Sequence, residues 1–184
     1  MRFIDPYHDH WHSLDGEDGA LSHPAPVDHA LLTLEQWHAV RDTWPAGLAT
    51  GVIVPNSADI EALAGDLPRL VLVALQFPKW TDGRAYSQAR LLRVRLRFTG
   101  EVRAVGDVVV DIVPLLRRTG FDSARLRADQ KIEPALRALD YFAGHYQGDV
   151  QQPVPAFARD VARELAAKFV RQRELAEQSA GQGI

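Results

Sequence analysis

Apolar positions in this 184-residue chain change their spacing near residue 50. Before it the pattern is irregular: Phe3 and Ile4 are apolar, residues 7–12 are rich in histidine, and residues 15–26 are acidic with Gly and Pro. That order predicts a short hairpin followed by a loop. Leu34, Trp37, His38 and Arg41 then recur at helical spacing, and Trp44-Pro45 closes the helix.

From residue 50 strand-like runs alternate with helical ones. Residues 51–54 form a β-branched strand ended by Pro55-Asn56, with Ser57 placed to cap a following helix. Residues 70–77 are almost continuously apolar, the signature of a strand covered on both faces. Ala85, Ala89, Leu92 and Leu96 share one helical face and Arg90, Arg93 and Arg97 another. Residues 101–105 read as a third strand, and Val109, Ile112, Val113 and Leu116 as a helix, with Asp111 as N-cap and Pro114 in the tolerated first turn. Residues 123–127 make a fourth strand, followed by a helix carrying Ile132, Ala135, Leu136, Leu139 and Phe142.

Four strand–helix units in succession predict an α/β fold with a parallel sheet, as an open sheet or half-barrel, carrying an N-terminal hairpin and helix extension and a C-terminal helix. The expected divisions are an extension over 1–49, the parallel domain over 50–148, and a linker with an amphipathic helix over 149–184. In that tail Phe157, Val161, Leu165 and Phe169 form one stripe, which predicts burial against the chain itself or against a second copy in a homodimer.

Composition narrows the function. With 46% hydrophobic and 24% charged residues the chain suits a soluble globular domain, and no apolar run approaches the length of a membrane span. Acidic residues appear before any leader-like apolar stretch, so a cytoplasmic location is expected. The net charge of -3 argues against nucleic acid as a partner. The absence of cysteine removes thiolate nucleophiles, disulfides and iron–sulfur ligation. No GxGxxG follows a strand and no Walker motif occurs, so the residues identify no cofactor.

In parallel strand–helix folds ligands bind where strand C-termini open into loops. The richest such loop here holds Lys79, Asp82, Gly83 and Arg84 ahead of a helix bearing Ser87 and Arg90, and the next adds Asp107 and Asp111. Arginine offers a planar fork of donors matched to oxyanions, so the setting suits a small oxyanion or a partner's acidic loop; arginine–aspartate pairing that fixes the loops is the competing reading. Asp82, Arg84, Ser87 and Asp107 are expected to converge.

The motifs DGRxxSxARLLR from Asp82, GExRAxGDVxxD from Gly100 and GFD from Gly120 carry a family resemblance. In this order and spacing they resemble a bacterial family of unknown function whose members are often called "oxidoreductase probably involved in sulfite reduction". The resemblance covers about residues 50–147 and implies sulfur assimilation, with sulfite reductase as the implied partner. The polar positions it carries over are Asp82, Arg84, Ser87, Arg90, Arg93, Arg103, Asp107 and Asp111. This chain departs at Val109 and Val110, where many relatives have Leu-Arg, and at Thr119, where cysteine is frequent. It implies two functions: an accessory of sulfite reduction that binds an oxyanion or a partner, or a cofactor-dependent oxidoreductase acting in that reduction.

His8, His10 and His12 would share one face of a strand, the spacing of a weak metal site needing a third ligand such as Asp5 or His23. Histidines of a surface hairpin are the simpler reading. His145, at the end of the fourth helix, reads as a partner for the helix dipole.

Overall fold

A computed structural model describes residues 1–142 except 17, 18 and 21, together with residues 145–158, 160 and 170. The chain divides into two compact units, Met1–Phe142 and Ala143–Ile184.

The first unit is built on an open, curled sheet of seven strands, all parallel, which makes a half-barrel. Its strands are β1 (Arg2–Phe3), β2 (His12–Ser13), β5 (Ala30–Thr33), β6 (Thr50–Val54), β7 (Leu72–Phe77), β8 (Glu101–Gly106) and β9 (Ser123–Ala124). A separate antiparallel pair joins β3 (Asp15–Gly16) to β4 (Gly19–Ala20). The sheet order is β1-β9-β8-β7-β6-β5-β2, so from β5 onward each strand lies beside its predecessor. Winding in one direction puts the connecting helices on one face, as in a βα barrel.

The helices are α1 (Leu34–Val40), α2 (Arg84–Arg90), α3 (Val113–Thr119) and α4 (Ile132–Asp140). Thr33 caps α1 in a reciprocal box with Gln36, each side chain bonding the other's backbone N–H. α2 runs on into a π-helical turn at Leu91–Arg95. Asp111 lies inside a 3₁₀ turn, Val110–Ile112, rather than capping a helix; α3 starts after it with Pro114 in its first turn and stops at Gly120, whose φ of 108° is left-handed. Between β6 and β7 the expected helix is replaced by 3₁₀ turns at Ile60–Leu63 and Leu67–Arg69, the first capped by Asp59 and not Ser57. Pro68 falls in the first turn of the second of these segments.

Side-chain alternation along the strands sorts the core into two clusters. Val52, Val54, Val73, Leu75, Phe77, Val102 and Ala104 pack with Trp37, Ile60, Leu92 and Leu116 on the helix side. Leu31, Leu72 and Ala74 pack on the concave side with Trp11, Ile53 and Val105. Trp11 fits there because β6 has Gly51 beneath it: a Cβ at that position would stand 3.0 Å from the indole.

The hairpin expected in the first dozen residues does not form. β1 and β2 lie at opposite edges of the sheet, and the residues between them connect the two edges, with Trp11 and Asp9 meeting the concave face. Residues 1–49, expected as an extension, thus supply three strands of the same sheet as residues 50–148.

Arg93 ties the N-terminal ends of the strands together. Its guanidinium donates to the carbonyls of Phe98 at 2.6 Å, Gly100 at 2.8 Å and Gly120 at 3.0 Å, and pairs with Asp122. Asp122 also accepts the Val102 N–H at 2.8 Å. The arginine ending the first motif and the aspartate ending the third therefore form one structural joint.

In the second unit Phe157 sits in a 3₁₀ turn, 5.5 Å from the Tyr146 ring, and is 71% exposed on the single chain, which does not pack it against the chain itself. Val161, Leu165 and Phe169 of the expected stripe lie outside the described residues.

Candidate functional site

The loops after β6, β7, β8 and β9 share the C-terminal rim of the sheet. Gly106 ends β8 with a φ of 96°, and a Cβ there would lie 2.4 Å from the Phe77 carbonyl oxygen, so the chain turns tightly over the end of β7. That turn presents Asp107, whose carboxylate accepts the Trp80 N–H at 2.9 Å and Arg127 Nη1 at 2.7 Å. One aspartate thus clamps the loop after β7 to the loop after β9. Arg127 also forks onto Asp129 at 2.6 and 2.8 Å.

Asp82 and Arg84 pair with each other, through Nε at 3.0 Å and Nη2 at 2.7 Å. Arg84 is therefore committed within its own turn and does not reach Asp107. Ser87 and Arg90 are exposed on α2, and Asp111 is exposed in its 3₁₀ turn. Lys79 and Arg90 are exposed without an ion pair among the described residues, and Trp80 stands 49% exposed between the two clamps.

These pairs fix the rim's charges. The Arg84 side chain, then its backbone N–H, holds the Asp82 carboxyl well below the usual range. Hydrogen bonds from Arg127 lower Asp129 to about 2. The Trp80 N–H and then Arg127 lower Asp107, while Asp129 and Asp107 raise Arg127. All four stay charged around neutral pH, which suits electrostatic positioning and not proton transfer.

Arg103 is not on the rim. It points from β8 to the concave face, 1% exposed, with Nε on Glu101 at 2.9 Å and Nη1 on Asp9 at 2.7 Å. Glu101 also pairs with Arg2 at 2.7 Å and accepts the Ser123 hydroxyl. Burial pushes the Glu101 carboxyl up, but the Ser123 hydroxyl and Arg103 outweigh it and hold the group below its usual value. The structure therefore splits the sequence candidates: Asp82, Arg84, Ser87, Asp107 and Asp111 lie along the rim and its following turns, while Arg103 belongs to a second polar cluster inside the curl.

The histidines do not line one strand. His8 pairs with Asp5 at 2.7 Å, His10 packs 4.8 Å from the His29 ring, and only His12 lies in a strand. Among the described residues no group of three or more His, Cys, Asp or Glu side chains could hold a metal ion. Trp80, Arg127 and Asp9 escaped the sequence reading. A lone tryptophan in an otherwise polar loop was the available signal for the first; nothing local marked the others.

The fold and the rim define a parallel α/β half-barrel in which Asp82 pairs with Arg84, and Arg127 with Asp107 and Asp129, along the loops. The chain belongs to a family described as bacterial protein of unknown function, DUF934, whose family model matches residues 51–157. That span holds all three motifs and every rim residue described above. No curated protein matches the chain.

Proposed function

We propose that the protein is a cytoplasmic, non-catalytic accessory of assimilatory sulfite reduction that docks a partner, with sulfite reductase the candidate, through the C-terminal rim. One observation carries the docking reading: Trp80 projects half-exposed from a loop whose backbone is clamped by Asp107. A rigid aromatic with arginine nearby is the composition of an interface anchor, and its ordering cost is already met before binding. Lys79 and Arg90 supply the unpaired positive charge, so the matching surface is an apolar pocket ringed by acidic groups. An oxyanion at this rim is the weaker reading because Arg84 and Arg127 already hold carboxylates.

The link to sulfite rests on the resemblance of the three motifs. Deleting the gene tests it: growth on sulfate or sulfite should slow and be restored by sulfide or cysteine. Equal growth on all four sulfur sources would contradict it.

A further inference from the structure

The outward side of α2 and its π-helical turn carries positive charge that the fold does not use up. Residues 83–100 hold five arginines and no aspartate or glutamate. Three of the five are engaged: Arg84 by Asp82 at 2.7 Å, Arg95 by Glu61 at 2.6 Å, and Arg93 by Asp122 and the carbonyls around it. Arg90 and Arg97 are exposed and have no ion pair among the described residues. Ser87, Arg90, Val94 and Arg97 follow one another at spacings of three, four and three residues, all exposed, with Val94 at 52%. The result is one open stripe with an apolar side chain between two unpaired guanidinium groups.

Arg97 stands there against the preference of its backbone. Its φ of 55° is left-handed, just past the cap of the π-helical turn, where glycine is the favoured terminator. The turn is closed by the Phe98 N–H, which donates to the Leu92 carbonyl at 2.9 Å, a bond that asks nothing of the side chain at 97. A guanidinium kept at a strained position that the closure does not need points to a role outside the fold. The surrounding charge disfavours nucleic acid: residues 1–83 carry twelve acidic and four basic side chains, and duplex affinity comes from neutralising many phosphates. The complement of the stripe is an acidic amphipathic helix. Carboxylates seven residues apart lie roughly 10 Å apart along such a helix, about the separation of two arginines seven residues apart on α2 and its extension, with room for an apolar side chain between them.

We infer that the stripe of Ser87, Arg90, Val94 and Arg97 docks an acidic amphipathic helix of a partner protein, its carboxylates on Arg90 and Arg97 and its apolar residue on Val94. The inference rests on the docking reading and names the element of the partner that lies along α2, since Arg90 belongs to both surfaces. It is independent of the link to sulfite.

Titrating the full chain with a synthetic helical peptide that bears glutamates seven residues apart around a leucine tests it by NMR. The backbone resonances of residues 87–97 and the Nε–H resonances of Arg90 and Arg97 should shift saturably, and the same peptide with glutamine for glutamate should bind about fivefold more weakly or worse. Arg97→Gly should weaken binding by the glutamate peptide about threefold to fivefold. The same variant should melt at or above the wild-type temperature, because glycine suits that φ, whereas loss of an arginine that served the fold would lower it. No saturable shift, equal binding of the glutamine peptide, a duplex DNA that occupies the stripe more tightly than the glutamate peptide, or an Arg97→Gly variant that melts below wild type would each overturn the assignment. Failure of the docking reading shows instead in Trp80→Ala against sulfite reductase, so the two failures are distinguishable.

Discussion

Arg93→Ala should lower the unfolding free energy by about 3 kcal/mol or more, the cost of breaking a largely buried charge-assisted network. The side chain bonds three carbonyls, those of Phe98, Gly100 and Gly120, and the Asp122 carboxylate. Gly100 has no room to adjust: a Cβ on it would stand 2.4 Å from the Phe98 ring and 2.8 Å from the Val71 carbonyl. Removing the guanidinium leaves these groups without their partner at a tightly packed junction. Arg93→Lys should recover only part of the loss, because an ammonium cannot serve four acceptors spread around a planar fork. Urea unfolding measures both. A loss below about 1 kcal/mol for the alanine variant would mean that water replaces the guanidinium and that the joint is not a stability element.

Gly51→Val should be nearly as damaging, for a reason on the opposite face of the sheet. A Cβ at Gly51 would meet the Trp11 ring at 3.0 Å and Leu31 and Leu72 at 3.1 Å, and valine adds two methyl groups beyond that. Overpacking of this kind costs about 1–3 kcal/mol, and here relief requires Trp11 to leave the concave face. The expected result is lower stability together with faster proteolytic cleavage within residues 4–14. Gly65→Ala is the control, since nothing lies within 4 Å of its Cβ position. A valine variant that matched wild type in stability and cleavage would show that Trp11 does not pack over Gly51.

The contrast between those two glycines shows what a single sequence carries. Strands β6, β7 and β8 were legible because their β-branched and apolar runs are long enough to display a period, and Gly106 and Gly120 punctuated them. The edge strands β1 and β2 have only two residues each, too few for any period to appear, so residues 1–13 read as a hairpin. Gly51, the second residue of β6, gave no hint that an indole from position 11 would fill the space above it. At the candidate site the Asp82–Arg84 pair is local and its residue types were visible. Asp107 was visible too, but its partner Arg127 reads as the last residue of a strand, and Asp9 meets Arg103 across 94 residues of chain. Pairings of that range depend on sheet order, which spacing along the chain does not encode.

The docking reading is tested most directly by binding the purified full chain to immobilised sulfite reductase from the same cell, comparing wild type with Trp80→Ala. Trp80 is half-exposed and its only clamp to Asp107 runs through the backbone, so the substitution should leave folding intact. Saturable binding by wild type, weakened about thirtyfold or more in Trp80→Ala and reduced by added salt, is the predicted result. No binding by the wild-type chain, or binding that Trp80→Ala leaves unchanged, would contradict the account.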